Sequence, residues 1–233
     1  MRCGLYGKLP CKRDFVALFA PRAFLSVWEP WMQSSVAASR QTLGQDWQQA
    51  FLTAPIWRFW LGAGLCGAPV AGAFMPSLDG VGRYFPLTVF ACADEQAQVP
   101  PPELNSQDEW FAAIEEFLLG TLDQNTTFEN VTAALDSMSV PSDRLIATAD
   151  MPMVRAKGVL AVSGSEQPFP DLFAAMRIAD HADVYAAASF WWTIGGEGFP
   201  PLAIAGKGMP DPFLFADMLV GRLATETLFA PTV

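Results

Sequence analysis

The chain has 233 residues, of which 52% are apolar and 16% are charged, so it can bury a sizeable core and is too apolar for extended disorder. Its formal net charge of −10 repels nucleic acid and anionic membrane surfaces, which favours proteins or small molecules as partners. No apolar run reaches the roughly twenty residues of a membrane-spanning helix, and the N-terminus lacks the apolar segment of a signal peptide. We therefore expect a cytoplasmic protein without membrane insertion.

The cysteines and the single histidine offer little material for a metal site. Cys3, Cys11, Cys66 and Cys92 show no C-x-x-C spacing, and His181 alone cannot complete a usual zinc set with them. We expect reduced thiols, with a disulfide framework as the minor alternative. Neither a metal nor another cofactor is expected.

The N-terminal quarter predicts a short strand followed by helices. Residues 5–9 form the strand candidate. Apolar residues at helical spacing predict a helix over residues 22–43. Pro30 lies inside this segment and either kinks the helix or starts a second one, because a mid-helix proline removes a hydrogen bond. Asp46 is expected to cap a further short helix that runs through Phe51.

The central stretch predicts three strands. Apolar runs at residues 56–61 and 70–75 are separated by a Gly/Pro-rich turn, which is typical of two paired strands. A third run covers residues 85–92. All three are nearly continuous in apolar side chains rather than alternating, so the sheet should be covered on both faces.

Polar residues in two segments interrupt this apolar pattern and form the candidate site. The loop between the second and third central runs contributes Ser77, Asp79 and Arg83. The charged turn after the first strand contributes Lys8, Arg13 and Asp14. Glycines in the first loop permit tight turns, which makes it the best candidate for a specific contact. Two interpretations stay open: these residues bind a partner, or Asp79 and Arg83 pair internally and fix the turn.

The second half predicts two amphipathic helices after a proline-rich spacer. Ser106 with Glu109 and Thr126 with Glu129 are capping boxes for helices that end near residues 122 and 138. Their acidic faces should be solvated, so both helices are expected to cover a sheet. The later segments are predicted as irregular structure over 139–156, a strand at 158–163, a helix near Pro170, strands at 186–194 and 202–205, and a final helix that Asp211 caps before Pro212.

This order of elements predicts the fold class. We expect an α/β fold in a single domain over residues 1–233, with a mixed or largely antiparallel central sheet and helices on both faces, a three-layer sandwich.

The sequence contains none of the common catalytic motifs. A hydrolase triad would use Ser77 or Ser163, His181, and Asp79 or Asp150, but no G-x-S-x-G elbow is present. P-loop, G-x-G-x-x-G, H-E-x-x-H and calcium-loop patterns are also missing. The residues alone favour a regulator or binding module, and a small hydrolase using the Ser77/Asp79 loop stays the alternative.

Several motifs in order resemble the TagF (ImpM-like) proteins associated with type VI secretion. They are Gly7-Lys8-Leu9-Pro10, Arg13-Asp14-Phe15-Val16, Trp28-Glu29-Pro30-Trp31, Ser39-Arg40, Ala54-Pro55-x-Trp57-Arg58-Phe59, Pro76-Ser77-x-Asp79-x-Val81-Gly82-Arg83-x-Phe85-Pro86-Leu87, Ser189-x-Trp191-Trp192-Thr193 and Gly208-Met209-Pro210. Each motif is weak alone, whereas their order and spacing together are fairly specific.

The resemblance implies a cytoplasmic, non-catalytic accessory protein. It would restrain the type VI machine after translation by binding a forkhead-associated scaffold protein. Such a role needs a docking surface rather than an active site, in agreement with the motif search. A structural subunit of the secretion assembly is the other alternative.

Overall fold

The computed structural model describes residues 1–94, 98–145, 151–156, 159–164 and 167–224. The strands in this part of the chain are β1 (Cys3–Gly7), β2 (Val16–Leu18), β3 (Trp57–Leu61), β4 (Val70–Met75), β5 (Leu87–Cys92), β6 (Met153–Ala156), β7 (Val159–Val162), β8 (Ala188–Thr193) and β9 (Leu202–Lys207). Seven of them form one sheet in the order β2-β1-β5-β4-β3-β8-β9, and β6 pairs with β7 separately. Every pairing is antiparallel, which confirms the predicted sheet type.

Helices cover the large sheet on both faces, as predicted. They are α1 (Arg22–Leu43), α2 (Trp47–Thr53), α3 (Ala63–Cys66), α4 (Asp108–Gly120), α5 (Phe128–Ser137), α6 (Phe169–Ala179), α7 (His181–Val184) and α8 (Leu214–Val220). Buried side chains of α1, α2 and α8 share one core with the sheet, and those of α4 and α5 share the other. None of the helices in the described part of the chain is both long and apolar enough to cross a bilayer.

Strand residues alternate between the two faces of the sheet, so each core is lined by its own set of strand side chains. The two sets differ in composition. Aromatic rings dominate on the α1 side, where the ring centroids of Trp28 and Phe59 lie 4.3 Å apart. Gly72 leaves room for these rings, since a Cβ there would lie 2.6 Å from a ring carbon of Phe59. The α4 side contains mostly small and aliphatic strand residues such as Ala73 and Val89. Strands β3 and β4 are buried along their whole length, which confirms the prediction from their continuous apolar runs.

Helix α1 runs through Pro30 without interruption, which decides between the two predicted outcomes. A proline at this place costs about 3 kcal/mol. Its ring lies on the exposed side, whereas Phe24, Trp28 and Met32 on the inner side are buried completely or nearly so. Burying such side chains contributes about 1.5–3 kcal/mol each. Packing of the inner face therefore outweighs the missing hydrogen bond.

Three predicted helix starts are wrong by one or more residues. Ser106 does not cap α4, because its hydroxyl donates to the Asp108 carboxylate at 2.6 Å and Gln107 precedes the helix with a φ of 54°. Thr127 rather than Thr126 caps α5. The Asp211 carboxylate accepts from the Phe213 amide at 2.9 Å, but α8 begins only at Leu214. At α5 the neighbouring Thr126 and Thr127 can each cap the backbone, so spacing alone does not select one.

Two strands were not expected from the sequence. Strand β2 has three residues, too few for a periodic pattern to stand out. Strand β6 falls in the segment 139–156 that was predicted to be irregular, and it pairs with β7 in a separate hairpin. Strands β8 and β9 form the predicted hairpin, although β9 extends two residues beyond the expected end.

Candidate functional site

The carboxylate of Asp79 lies at the centre of the candidate site. Its Oδ2 accepts from Lys8 Nζ at 2.7 Å and from Arg83 Nε at 2.7 Å. Its Oδ1 accepts from the backbone N–H groups of Val81 at 3.1 Å and Arg83 at 2.9 Å. We call this carboxylate with its four donors the Asp79 hub. Since carboxylates have about four acceptor sites, the hub uses their full capacity.

The hub fixes the loop between β4 and β5. The Asp79 amide donates to the Arg83 carbonyl at 3.1 Å, and the Gly82 amide donates to the Asp79 carbonyl at 2.9 Å. Gly82 adopts a φ of +83°, a conformation that side chains with a Cβ rarely adopt. The Phe85 amide donates to the Ser77 carbonyl at 3.0 Å and closes the base of the loop. This loop is therefore tightly folded rather than extended.

The hub also joins this loop to the turn between β1 and β2. The Gly80 amide donates to the Lys12 carbonyl at 2.7 Å, and the Ser77 hydroxyl donates to the Lys8 carbonyl at 2.8 Å. The Arg83 guanidinium donates to the Arg13 carbonyl. These contacts join two segments that lie about seventy residues apart in the sequence, so the two loops pack together as one structural unit.

Charge and burial at the hub set the state of the carboxyl group. Asp79 is completely buried and Lys8 nearly so, whereas the Arg83 side chain is 59% exposed. Burial alone would raise the pKa of Asp79. Hydrogen bonds from Lys8, Arg83 and the backbone outweigh that effect and hold this pKa well below its usual range. Asp79 is therefore a carboxylate at neutral pH and is paired with two cations.

The structure brings together five of the six residues singled out from the sequence. Ser77, Asp79, Arg83 and Lys8 contact one another directly, and Arg13 joins through its carbonyl. The side chain of Asp14 is exposed and makes no hydrogen bond or ion pair with the described residues. Asp79 and Arg83 form the internal ion pair that one of the two interpretations predicted.

Only part of this set is accessible to another molecule. Ser77 is 2% exposed and Lys8 is 6% exposed, so a partner cannot reach them without rearrangement. Sequence reasoning did not select two apolar neighbours that are accessible, Phe15 at 49% and Val81 at 56% exposure. No sequence signal marked them, since single exposed apolar side chains are common on protein surfaces. We call Arg13, Asp14, Phe15, Val81 and Arg83 the hub face.

The geometry offers no support for the hydrolase alternative. The Ser77 hydroxyl is buried and donates to a carbonyl rather than to a base. His181 Nδ1 lies 2.8 Å from the Ile178 carbonyl oxygen, and its ring is not hydrogen-bonded to any residue of the hub. Asp150 lies outside the described residues. Within those residues, no three His, Cys, Asp or Glu side chains are grouped as a metal site would require.

Comparisons with known proteins identify relatives of the whole arrangement. The model of the TagF N-terminal domain, described as type VI secretion system-associated, matches residues 4–138, which contain both loops of the hub. The crystal structure of PA0076 from Pseudomonas aeruginosa PAO1, at 2.05 Å resolution, is similar with a TM-score of 0.75 and 29% sequence identity. This similarity covers 99% of the present chain and 98% of the other. Among curated proteins, none matches the sequence.

Proposed function

Because the chain belongs to the TagF family of proteins associated with type VI secretion, we propose that it restrains this secretion system after translation by binding a forkhead-associated scaffold protein. In this proposal the protein acts in the cytoplasm as a non-catalytic accessory factor. Residues 1–233 would work as a single domain.

One observation carries the choice of binding surface. The Asp79 hub fixes two loops against each other and leaves the apolar side chains of Phe15 and Val81 exposed beside charged groups. Ordered loops with exposed apolar residues suit protein binding, because little conformational entropy is lost on association. We propose that the hub face is the surface that contacts the scaffold protein.

The charge around the hub supports a protein partner with an acidic surface. Lys8, Lys12, Arg13 and Arg83 lie in or next to the two loops, against Asp14, Asp79 and the Glu129 carboxylate, which interacts with Lys12 from α5. The region is thus locally cationic in a chain whose net charge is −10. Complementary charge would speed association and favour the correct orientation.

The test is a binding measurement between the purified chain and the forkhead-associated scaffold protein of its own secretion system. Val81→Glu changes an exposed side chain that makes no side-chain hydrogen bond, so folding should be retained. Val184→Glu on α7 is the matched control, because Val184 is 53% exposed. We expect Val81→Glu to weaken binding by about tenfold or more and the control to leave it unchanged. Equal affinity of both variants would rule out the hub face, and no binding by the unchanged chain would refute the proposed partner.

A further inference from the structure

A second surface lies at the opposite edge of the sheet, along β9. This strand pairs with β8 on one side, and no described residue pairs with its outer edge. Strand β9 has six residues, contains no proline, and carries no charge before Lys207. The other edge strand, β2, has only three residues. Edge strands in natural proteins are usually protected by short length, charged side chains or proline, and a long apolar edge that lacks these features can pair with another strand.

A groove of about 470 Å³ lies next to this free edge on the α4 side of the sheet. Its floor contains Phe190 and Trp192, which stand directly opposite Ala205 and Ala203 in the β8–β9 register. Residues opposite each other in an antiparallel pair share one face. The groove exists because these two alanines are too small to cover the neighbouring aromatic rings.

Acidic side chains border the groove. Glu103 is exposed and makes no hydrogen bond or ion pair with described residues, and the Asp108 side chain is 76% exposed. Arg58, paired with Trp192 in the β3–β8 register, is already bound by Glu115 at 2.6 Å. Its Nη1 lies 3.8 Å from Asp108. Lys207 ends β9 on the same face as the two alanines. Three carboxylates, those of Glu103, Asp108 and Glu115, therefore stand against two cations, Arg58 and Lys207, and the border of the groove is negative.

We propose that this groove binds an extended basic segment of a partner protein, which adds a strand to β9. Alternate side chains of an added strand would lie over the two alanines, because side chains alternate between faces along a strand. An arginine or lysine at such a position reaches across them to the Trp192 ring, where cation–π attraction is strongest for tryptophan. Glu103 and Asp108 then lie beside the same cation.

The chemistry of the groove favours this occupant over a second copy of the chain. A two-fold pairing of β9 with another β9 would bring a second acidic border next to the first, and like charges at an interface are unfavourable. A basic strand satisfies the free backbone edge, the aromatic floor and the acidic border together. This surface is separate from the hub face and does not depend on the function proposed for it.

The experiment uses the full chain and a fluorescent peptide of alternating arginine and valine as the probe. Fluorescence anisotropy measures its affinity, and hydrogen exchange measures protection of residues 202–207. We expect saturable binding with slower exchange in β9. Glu103→Lys should weaken binding by roughly tenfold or more. Glu116 is an exposed residue of α4, and Glu116→Lys makes the same change in charge. This control should show only the smaller loss of affinity that the change in net charge causes.

Further peptides and one variant separate the components of the proposal. Methylating the backbone nitrogens of the peptide should abolish binding, since it removes every N–H group that could donate to β9, and replacing the arginines by glutamate should do the same. Val81→Glu at the hub face should not lower the affinity. Equal losses in the Glu103→Lys and Glu116→Lys variants, retained binding of the N-methylated peptide, or protection elsewhere than β9 would each overturn the proposal. So would a dimer that pairs through β9 in solution.

Discussion

Replacing Asp79 by asparagine tests whether the hub holds the two loops in place. The substitution keeps the shape of the side chain but turns one oxygen into an amide that donates hydrogen bonds. If the remaining oxygen still accepts from the backbone N–H groups of Val81 and Arg83, the new amide faces Lys8 Nζ and Arg83 Nε. Both of these groups are donors, so neither hydrogen bond can form.

The cost follows from the burial of the two cations. The Lys8 side chain is only 7% exposed, so in the variant its ammonium group would stay buried without a carboxylate partner. Removing one member of a buried ion pair typically costs about 3–5 kcal/mol. The Arg83 arm adds little, because that side chain is 59% exposed and pairs of this kind contribute about 0–1 kcal/mol. We expect Asp79→Asn to lower the free energy of unfolding by about 3–4 kcal/mol.

Urea unfolding followed by tryptophan fluorescence measures this loss. Since m-values are about 1–3 kcal/mol per molar urea, the midpoint should fall by about 1 M or more. Asp136→Asn is the control, because it breaks the ion pair with Arg2 in which both side chains are more than half exposed. That variant should lose less than about 1 kcal/mol. Similar losses in the two variants would show that the hub does not carry the stability assigned to it.

A double-mutant cycle isolates the ion pair from the other hub contacts. Lys8→Met removes the buried cation and leaves the Asp79 carboxylate three hydrogen bonds. In the Lys8→Met background, Asp79→Asn no longer strands a buried ammonium group, so it should cost less than in the natural chain. Additive losses would mean that Lys8 and Asp79 act independently and would contradict the geometry.

Three further predictions concern pH, thiols and the second half of the chain. Because folding lowers the pKa of Asp79, this residue stabilises the folded state fully above the unfolded carboxyl pKa near 4, and the stabilisation is lost as pH falls below that value. In Asp79→Asn the free energy of unfolding should therefore fall less steeply with decreasing pH than in the natural chain. Burial raises the pKa of Cys3 to about 11 and those of Cys66 and Cys92 to about 12. Alkylation of the folded protein at pH 8 should therefore modify the exposed Cys11 first. Mass spectrometry should show no fast modification in the Cys11→Ser variant. A fragment of residues 1–138 lacks β8 and with it Trp191, whose ring centroid lies 4.7 Å from that of Trp31; near-UV circular dichroism should show no native packing, and a native-like spectrum would mean that the matched segment folds alone.

The sequence predicted most of the sheet because burial dictates its strands directly. Continuous apolar runs with flanking Gly and Pro located β3 and β4 to within one residue, since both faces of these strands are covered. Helix α1 was located from Arg22 to Leu43, because its inner face repeats large apolar residues at helical spacing. Strand order stayed beyond sequence reasoning, because β3 pairs with β8 across about 130 residues and no local pattern encodes that pairing.

The candidate site was found from the sequence, but the roles of its residues were not. Asp79 and Arg83 stood out as charged residues among glycines and apolar runs. That Lys8 reaches Asp79 depends on β1 lying beside β5, a long-range feature of the sheet. Whether a polar residue is buried also depends on such packing, which is why Ser77 and Asp79 could not be separated from accessible Arg13. The groove beside β9 escaped notice because its main determinant is the absence of side-chain volume at two alanines.

Most residues that carry the resemblance to the TagF family have a clear structural task. Lys8, Ser77 and Asp79 join two loops, while Trp28, Trp57 and Trp191 fill the aromatic core between α1 and the sheet. Stability explains these buried residues without any reference to a partner. It explains Phe15 only in part, since one side of its ring packs 4.8 Å from the Phe85 ring while half of the residue stays exposed, and it does not explain the exposed side chain of Val81. Exposed apolar groups on a rigid support gain free energy only when another surface covers them, so the search for the function of this chain should begin at the hub face rather than inside the hub.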